Sequence, residues 1–568
     1  MATESEEGVP PEAFERFPQE PPARIQTEAE VPVFRPLRVY AFDSSLGRGR
    51  GNVITLQVPY EKLAPGPVGE RLAVIDYDAG RDCFYDPVDL DDTLVAMRAG
   101  VEPSESDPHF HQQMVYAVVA DALRRFEVAL GRTVQRIGVD GEAPLRLRMY
   151  PHAMQQSTAH FDPAAGLLFG YFRAGSEAVG RTVPGQTIFT CLSHDVIVHT
   201  ATHAVVHALC PDLMASTPPW LEMDTAAFLE GFSDLCALLL HFSHRDALLD
   251  TIRRTGGLIY RAVLKADGDL ADGGTPAIQA ELAASNPLLS LSPGFGEALG
   301  RGGGIRTALG RPPDPAALER ALEPHDRGEI LTAAVFDAFF SIYMRRSLDL
   351  FRIYRSGGGR LDSGDLPDVL AERLAAEATR IASVMLNVSV RALDYCPAGG
   401  LTFGDFLRAC ITADFEHDPS DELGVREALM LGFSRRGIKP RGAPFFSEDA
   451  LRWPVFDPAA LDAPGPSLVG LPEPNARNRA INARALRAFI ERNAAALSLR
   501  PKIGFDLYPL QVVRRTAADD RPRQVLVARV VQPGPSRATS SEQQRGVTLV
   551  FDGGGRLRYD IRSAQASS

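Results

Sequence analysis

Three histidines define the chemistry open to this chain. In the run Ser193-His194-Asp195-Val196-Ile197-Val198-His199-Thr200-Ala201-Thr202-His203-Ala204-Val205-Val206-His207, His199, His203 and His207 recur at intervals of four. Read as a helix, the run places them on one face, and two imidazoles at i and i+4 converge on a point that a zinc ion can occupy. Successive steps of four drift by roughly 40° around the axis, so one ion takes two adjacent histidines. The frames are His199/His203 and His203/His207, and a third ligand must come from elsewhere. The best candidate is Glu230, in Phe228-Leu229-Glu230-Gly231-Phe232-Ser233-Asp234-Leu235. On a second helix, Asp234 sits one turn after Glu230 and can accept the outer ring N–H of a ligand histidine.

His-x-x-x-His followed by Glu-x-x-x-Asp resembles the gluzincins, the thermolysin-type zinc metallopeptidases. Their sequences carry H-E-x-x-H and then a glutamate ligand in a run of the form N-E-A-x-S-D. Here Val-Ile-Val-His-Thr-Ala-Thr-His-Ala-Val, ending at Val205, is similar to the family's V-V-A-H-E-L-T-H-A-V. The resemblance implies zinc ligands His199, His203 and Glu230, with Asp234 behind them. It also implies an edge strand that holds a substrate peptide at Thr158-Ala159-His160-Phe161, where the family has N-A-[FY]-[WY]. Finally, His325-Asp326-Arg327-Gly328 before an apolar run from Ile330 resembles the family's H-x-x-S-G-I segment, which implies His325 as oxyanion stabiliser. A surface histidine at a helix start is the alternative reading of His325. The runs Arg391-Ala392-Leu393-Asp394-Tyr395-Cys396-Pro397 and Thr402-Phe403-Gly404-Asp405-Phe406 resemble a divergent bacterial, cytoplasmic gluzincin-like group, over most of residues 33–440.

Two positions depart from the family pattern. Thr158 replaces the substrate-binding Asn, and Thr200 stands where the family has its catalytic Glu. That Glu takes a proton from zinc-bound water and returns it to the leaving amine. A Thr hydroxyl near neutral pH does neither, and general acid–base help is worth roughly 10²–10⁴ in rate. The resemblance therefore implies a zinc-binding but catalytically impaired peptidase homologue, a pseudoenzyme whose cleft holds a peptide or protein. The alternative is an active zinc-dependent hydrolase with a displaced base, for which Glu222, Asp195 and His207 are candidates. A metal-free scaffold ranks third.

Bulk properties describe an ordinary globular chain. Of 568 residues, 45% are hydrophobic and 23% charged, and the net charge of -12 argues against nucleic acid as a partner. Cys83, Cys191, Cys210, Cys236, Cys396 and Cys410 are widely spread without a C-x-x-C pair, and read as reduced core residues. The acidic start, Met1-Ala2-Thr3-Glu4-Ser5-Glu6-Glu7, has no apolar core of a signal peptide, and no apolar run reaches membrane-spanning length. These features point to a cytoplasmic protein without a membrane partner.

The elements that must position the histidines give an α+β fold class, two-lobed and gluzincin-like, with a small C-terminal α+β domain. Residues 1–30 are Glu/Pro-rich and read as a disordered tail. Residues 31–194 form a β-rich lobe with one long helix, about His111 to Leu130, with His109 and His111 as polar first-turn residues. Strand patterns occur at Val39–Phe42, Asn52–Val58 and Leu72–Tyr77, and Leu145–Gly180 reads as a hairpin-rich sheet. Residues 195–440 hold the histidine helix and a helical lobe, in which Gly302-Gly303-Gly304 is a flexible loop without the G-K-[ST] of a phosphate cradle. Residues 441–474 read as a Pro-rich linker. Residues 475–568 read as a helix and a small sheet ending in a hairpin at Asp552-Gly553-Gly554-Gly555.

Overall fold

The computed structural model describes residues 32–47, 51–135, 145–213, 223–254, 288, 290–300, 304, 306–307, 313–359, 366–462, 465–471, 474–516, 522–532 and 545–562. The N-terminal tail, Glu222, Gly302 and Gly303 lie outside them. The fold is α+β.

In the N-terminal part, Phe34–Tyr40 pairs antiparallel with Val53–Pro59. A second sheet runs in the order Leu72–Val74, Leu147–Met154, Gly166–Arg173, Ala159–Asp162, with Thr187–Phe189 also on Gly166–Arg173. Its first three strands are mutually parallel, which departs from the hairpin-rich sheet expected from sequence. The short strand Ala159–Asp162 makes a tight hairpin with Gly166–Arg173, leaving the other edge of that strand free for a parallel neighbour. Gly166, at φ +122°, allows this turn; a Cβ there would meet the Arg148 carbonyl oxygen at 2.3 Å.

Behind this sheet runs the helix Pro108–Leu130. It starts three residues before the expected position because Asp107 caps it and Pro108 occupies its first turn. Its faces are buried almost throughout, His111 included.

The histidine helix, His194–Leu209, is capped by the Ser193 side chain. It packs between Pro108–Leu130 and the glutamate helix, Met223–His241. The glutamate helix is apolar over most of its surface and buried accordingly, with Phe228, Phe232 and Leu235 fully enclosed. It crosses the long helix Pro324–Ser356 at a glycine pair. A Cβ on Gly231 would meet the Gly328 carbonyl oxygen at 2.5 Å, and one on Gly328 would meet the Gly231 nitrogen at 2.8 Å. Thr332 Oγ1 donates across the crossing to the Gly231 carbonyl, 2.9 Å away. The start of the long helix is thereby brought beside Glu230. Asp368–Ala392, Phe403–His417 and Val425–Ser434 complete the helical body.

The described part of residues 441–474 behaves differently from a free linker. Trp453 is buried, donates from Nε1 to the Tyr395 carbonyl at 3.0 Å, and lies under the Arg408 guanidinium. The C-terminal helix Ala476–Arg492 and the strands Gln511–Thr516, Pro522–Gln532, Arg545–Asp552 and Leu557–Arg562 enclose their own apolar core. This unit is tied to the helical body through Arg515, which pairs with Asp394; Asp394 also receives Arg132, from the N-terminal part, at 2.7 Å. Thr548 Oγ1 adds a bond of 2.7 Å to the Cys396 carbonyl. Among the described residues, no single helix is long and apolar enough to cross a membrane.

Candidate metal centre

The i, i+4 spacing and the helix crossing together bring His199, His203 and Glu230 to one point. His203 Nε2 lies 3.1 Å from His199 Nε2, His199 Nε2 lies 3.3 Å from Glu230 Oε2, and His203 Nε2 lies 3.8 Å from Glu230 Oε1. Tetrahedral zinc with ligand bonds of 2.0–2.2 Å needs donor atoms about 3.3 Å apart, and these three separations bracket that edge. One oxygen, Glu230 Oε2, is buried and makes no hydrogen bond of acceptable geometry despite its two imidazole neighbours. A cation between the three donors satisfies it. The donor set therefore fits zinc by type, by spacing and by the polar atom otherwise left orphaned.

Asp234, nearly fully buried, orients the set. Its Oδ1 accepts from His199 Nδ1 at 2.7 Å, which fixes the His199 tautomer so that Nε2 faces the other donors. Its Oδ2 accepts from Arg306 Nη1 at 2.6 Å. Arg306 had no signal in the sequence beyond its place next to a glycine-rich stretch. Its charge offsets that of Asp234 and locks the carboxylate in place.

Without an ion, a proton does part of the ion's work. Burial alone lowers the basicity of His199, but the Asp234 and Glu230 carboxylates outweigh it and raise His199 to about 9. Burial and the facing His199 push His203 down to about 4. Burial opposes ionisation of Glu230, yet His199 and His325 hold its carboxyl well below the usual range. The consistent state at neutral pH is an imidazolium at His199, donating through Nδ1 to Asp234 and through Nε2 to neutral His203, with ionised Glu230 alongside.

The site opens to solvent on one side. The side chains of His199, His203 and Glu230 are 18%, 15% and 19% exposed, whereas His325 is 62% exposed. His325, in the first turn of the long helix, places Nδ1 3.0 Å from Glu230 Oε2 and 3.3 Å from Arg306 Nη1. The structure thus brings His325 to the cluster, with that nitrogen against the Glu230 carboxylate.

Thr200 is buried and its Oγ1 donates to the Val196 carbonyl at 2.7 Å. Its proton is committed to the backbone. Of the candidate replacement bases, Asp195 is buried and engaged elsewhere: Oδ1 takes His241 Nε2, and Oδ2 takes the Ser292 amide at 2.8 Å. It supports the start of the histidine helix and is not a free base. His207 packs tilted against Phe161, ring centroids 5.4 Å apart, outside the cluster of His199, His203 and Glu230. Glu222 lies outside the described residues. Thr158 and Ala159 stand at the expected sheet edge: the Thr158 carbonyl accepts from the Gly170 amide at 2.9 Å, and Ala159 starts the edge strand.

Compared with known proteins, the chain matches no protein-family model, and no curated protein sequence matches it.

Proposed function

We propose that this chain is a zinc-binding homologue of the thermolysin-type peptidases, with a gluzincin-like two-lobed architecture, in which peptide cleavage is impaired and peptide or protein binding remains. One observation carries the reading. His199, His203 and Glu230 converge with Asp234 behind His199, while the hydroxyl of Thr200, at the position of the family's proton carrier, is spent on the Val196 carbonyl. Zinc bound there supplies a Lewis-acidic open position. The residues of the chain hold that position, keep His199 in one tautomer and expose the His325 side to solvent. Asp195, the described carboxylate weighed as a substitute base, is engaged by His241 and the Ser292 amide. The edge strand Ala159–Asp162 packs beside the histidine helix and suits a bound peptide in extended form.

The test is a zinc-loaded protein offered a mixed peptide library, read for both binding and cleavage. The reading predicts retention of peptides on the zinc form and turnover at most at the level left when the acid–base contribution of about 10²–10⁴ is removed. Rapid cleavage abolished by a chelator and by His203→Ala favours the displaced-base alternative, with Glu222 as the remaining candidate, and overturns the proposal.

A further inference from the structure

A second cluster of metal-ligand side chains lies in the N-terminal part, unconnected with the first. His111 on the helix Pro108–Leu130, His152 on the strand Leu147–Met154 and Cys191 in the turn Thr190–Leu192 are all buried, and their donor atoms lie within 4.8 Å of one another. Nothing in the spacing of the sequence joins them; the fold does.

The hydrogen-bond partners decide the tautomers. His111 Nε2 lies 3.1 Å from the Glu105 carbonyl oxygen, which only accepts, so that nitrogen carries the proton. His152 Nδ1 lies 2.6 Å from Asp76 Oδ1, so it too donates outward. Asp76 is itself held by Gln112 Nε2, 2.9 Å from Oδ2. With both outer nitrogens protonated, the inner ones, His111 Nδ1 and His152 Nε2, meet at 2.8 Å. Two lone pairs cannot face each other at that distance in a buried site. A cation must lie between them, either a shared proton or a metal ion.

Three features favour the metal. Each imidazole has the outer acceptor that fixes a ligand histidine, a carboxylate on one and a carbonyl on the other. Cys191 adds a sulfur to the same point, which a shared proton leaves without a role. With a divalent ion, the Cys191 thiolate and the Asp76 carboxylate together neutralise the charge. That matters here, because both rings are buried, with Phe189 on both at 4.7 and 5.4 Å and Tyr85 on His152 at 4.9 Å, so the immediate surroundings are aromatic. Seating zinc at 2.0–2.1 Å from each nitrogen needs the two nitrogens about 3.3 Å apart, a parting of about half an ångström.

We propose that His111, His152 and Cys191 form a second, structural site for zinc, which clamps the helix Pro108–Leu130 to the sheet and to the turn leading into the histidine helix. Sulfur makes the site separable from the first, whose donors are nitrogen and oxygen only.

The experiment loads the full chain with cobalt(II) in place of zinc, after a cycle of partial unfolding and refolding to open the buried site. Wild type and the His199→Ala/His203→Ala double variant should both show the intense near-ultraviolet thiolate-to-cobalt charge-transfer band. Cys191→Ser, nearly the same shape, should lose the band and one equivalent of cobalt while keeping the wild-type far-ultraviolet circular dichroism. If the double variant fails to fold, the comparison of wild type with Cys191→Ser decides alone. Absence of the band in wild type, or its survival in Cys191→Ser, overturns the proposal and leaves a shared proton between the rings. Loss of metal from the first site leaves the band unchanged, so the two sites stand or fall separately.

Discussion

Replacing Asp234 by Asn should weaken zinc binding at high pH and barely change it at neutral pH. The wild-type side follows from His199. Its pKa is raised to about 9, so at pH 7 it is almost wholly protonated without metal. Zinc needs the neutral ring and must displace that proton, which lowers apparent affinity by about 50-fold at pH 7 relative to pH 9. The sign is fixed: a raised histidine pKa opposes the metal below that pKa, so affinity climbs about tenfold per pH unit from 7 to 9 and then levels. Glu230, held ionised, and His203, at about 4, release no further proton in this window. In Asp234→Asn, the outer partner of His199 Nδ1 loses its charge. Loss of such a partner costs about 10–100-fold in metal affinity. The same change drops the His199 pKa toward its ordinary value near 6.5, so proton competition at pH 7 nearly vanishes. The two effects cancel at pH 7 to within about tenfold, and the full loss of about 10–100-fold emerges at pH 9. Competition titration with a chromophoric chelator at several pH values reads this directly. Parallel affinity–pH lines for wild type and Asp234→Asn refute the coupling between Asp234, the proton on His199 and the metal.

Three further outcomes follow from named contacts. Gly231→Ala forces a Cβ to 2.5 Å from the Gly328 carbonyl oxygen, so the glutamate and long helices must separate. Overpacking costs about 1–3 kcal/mol and the better helix former returns about 1 kcal/mol, giving a net loss of up to about 2 kcal/mol in denaturant melts; a more stable variant contradicts the tight crossing. On the proposed reading, Thr200→Glu supplies the carboxylate that position lacks and should raise peptide hydrolysis by as much as about 10²–10⁴ over wild type; equal chelator-sensitive turnover in both proteins contradicts an impaired wild type. Asp394→Asn strips the buried anion from Arg132 and Arg515 and should cost about 3–5 kcal/mol, with melting of the C-terminal unit first; an unchanged melting curve contradicts a joint held at that residue.

The parts of the site that sit on one helix were legible because helical periodicity is local. His199 and His203 are a turn apart, and so are Glu230 and Asp234, so spacing alone shows which side chains share a face. Bringing the two helices together depends on Gly231 and Gly328, about a hundred residues apart, and pattern does not reveal such a crossing. His325 entered only through resemblance, since a histidine at a helix start has no distinctive spacing. Arg306 was missed because a lone arginine after glycines looks solvated, yet it closes the network on Asp234. His111 was read as a polar first-turn residue, but the helix starts at Pro108 and turns that ring into the core against His152. Asp195, one turn before His199, reads more readily as a structural carboxylate than as a base, and the chain returns His241 to it. The parallel run of Leu147–Met154 beside Gly166–Arg173 was hidden for the same reason, because strand partners are set by the path between them.

The account rests on one ion held by two neighbouring imidazoles and a carboxylate from the next helix. Elemental analysis of the purified full chain beside His203→Ala, both shown folded by circular dichroism, measures it directly. One equivalent of zinc fewer in the variant is the predicted result. Identical zinc content in the two proteins contradicts the account.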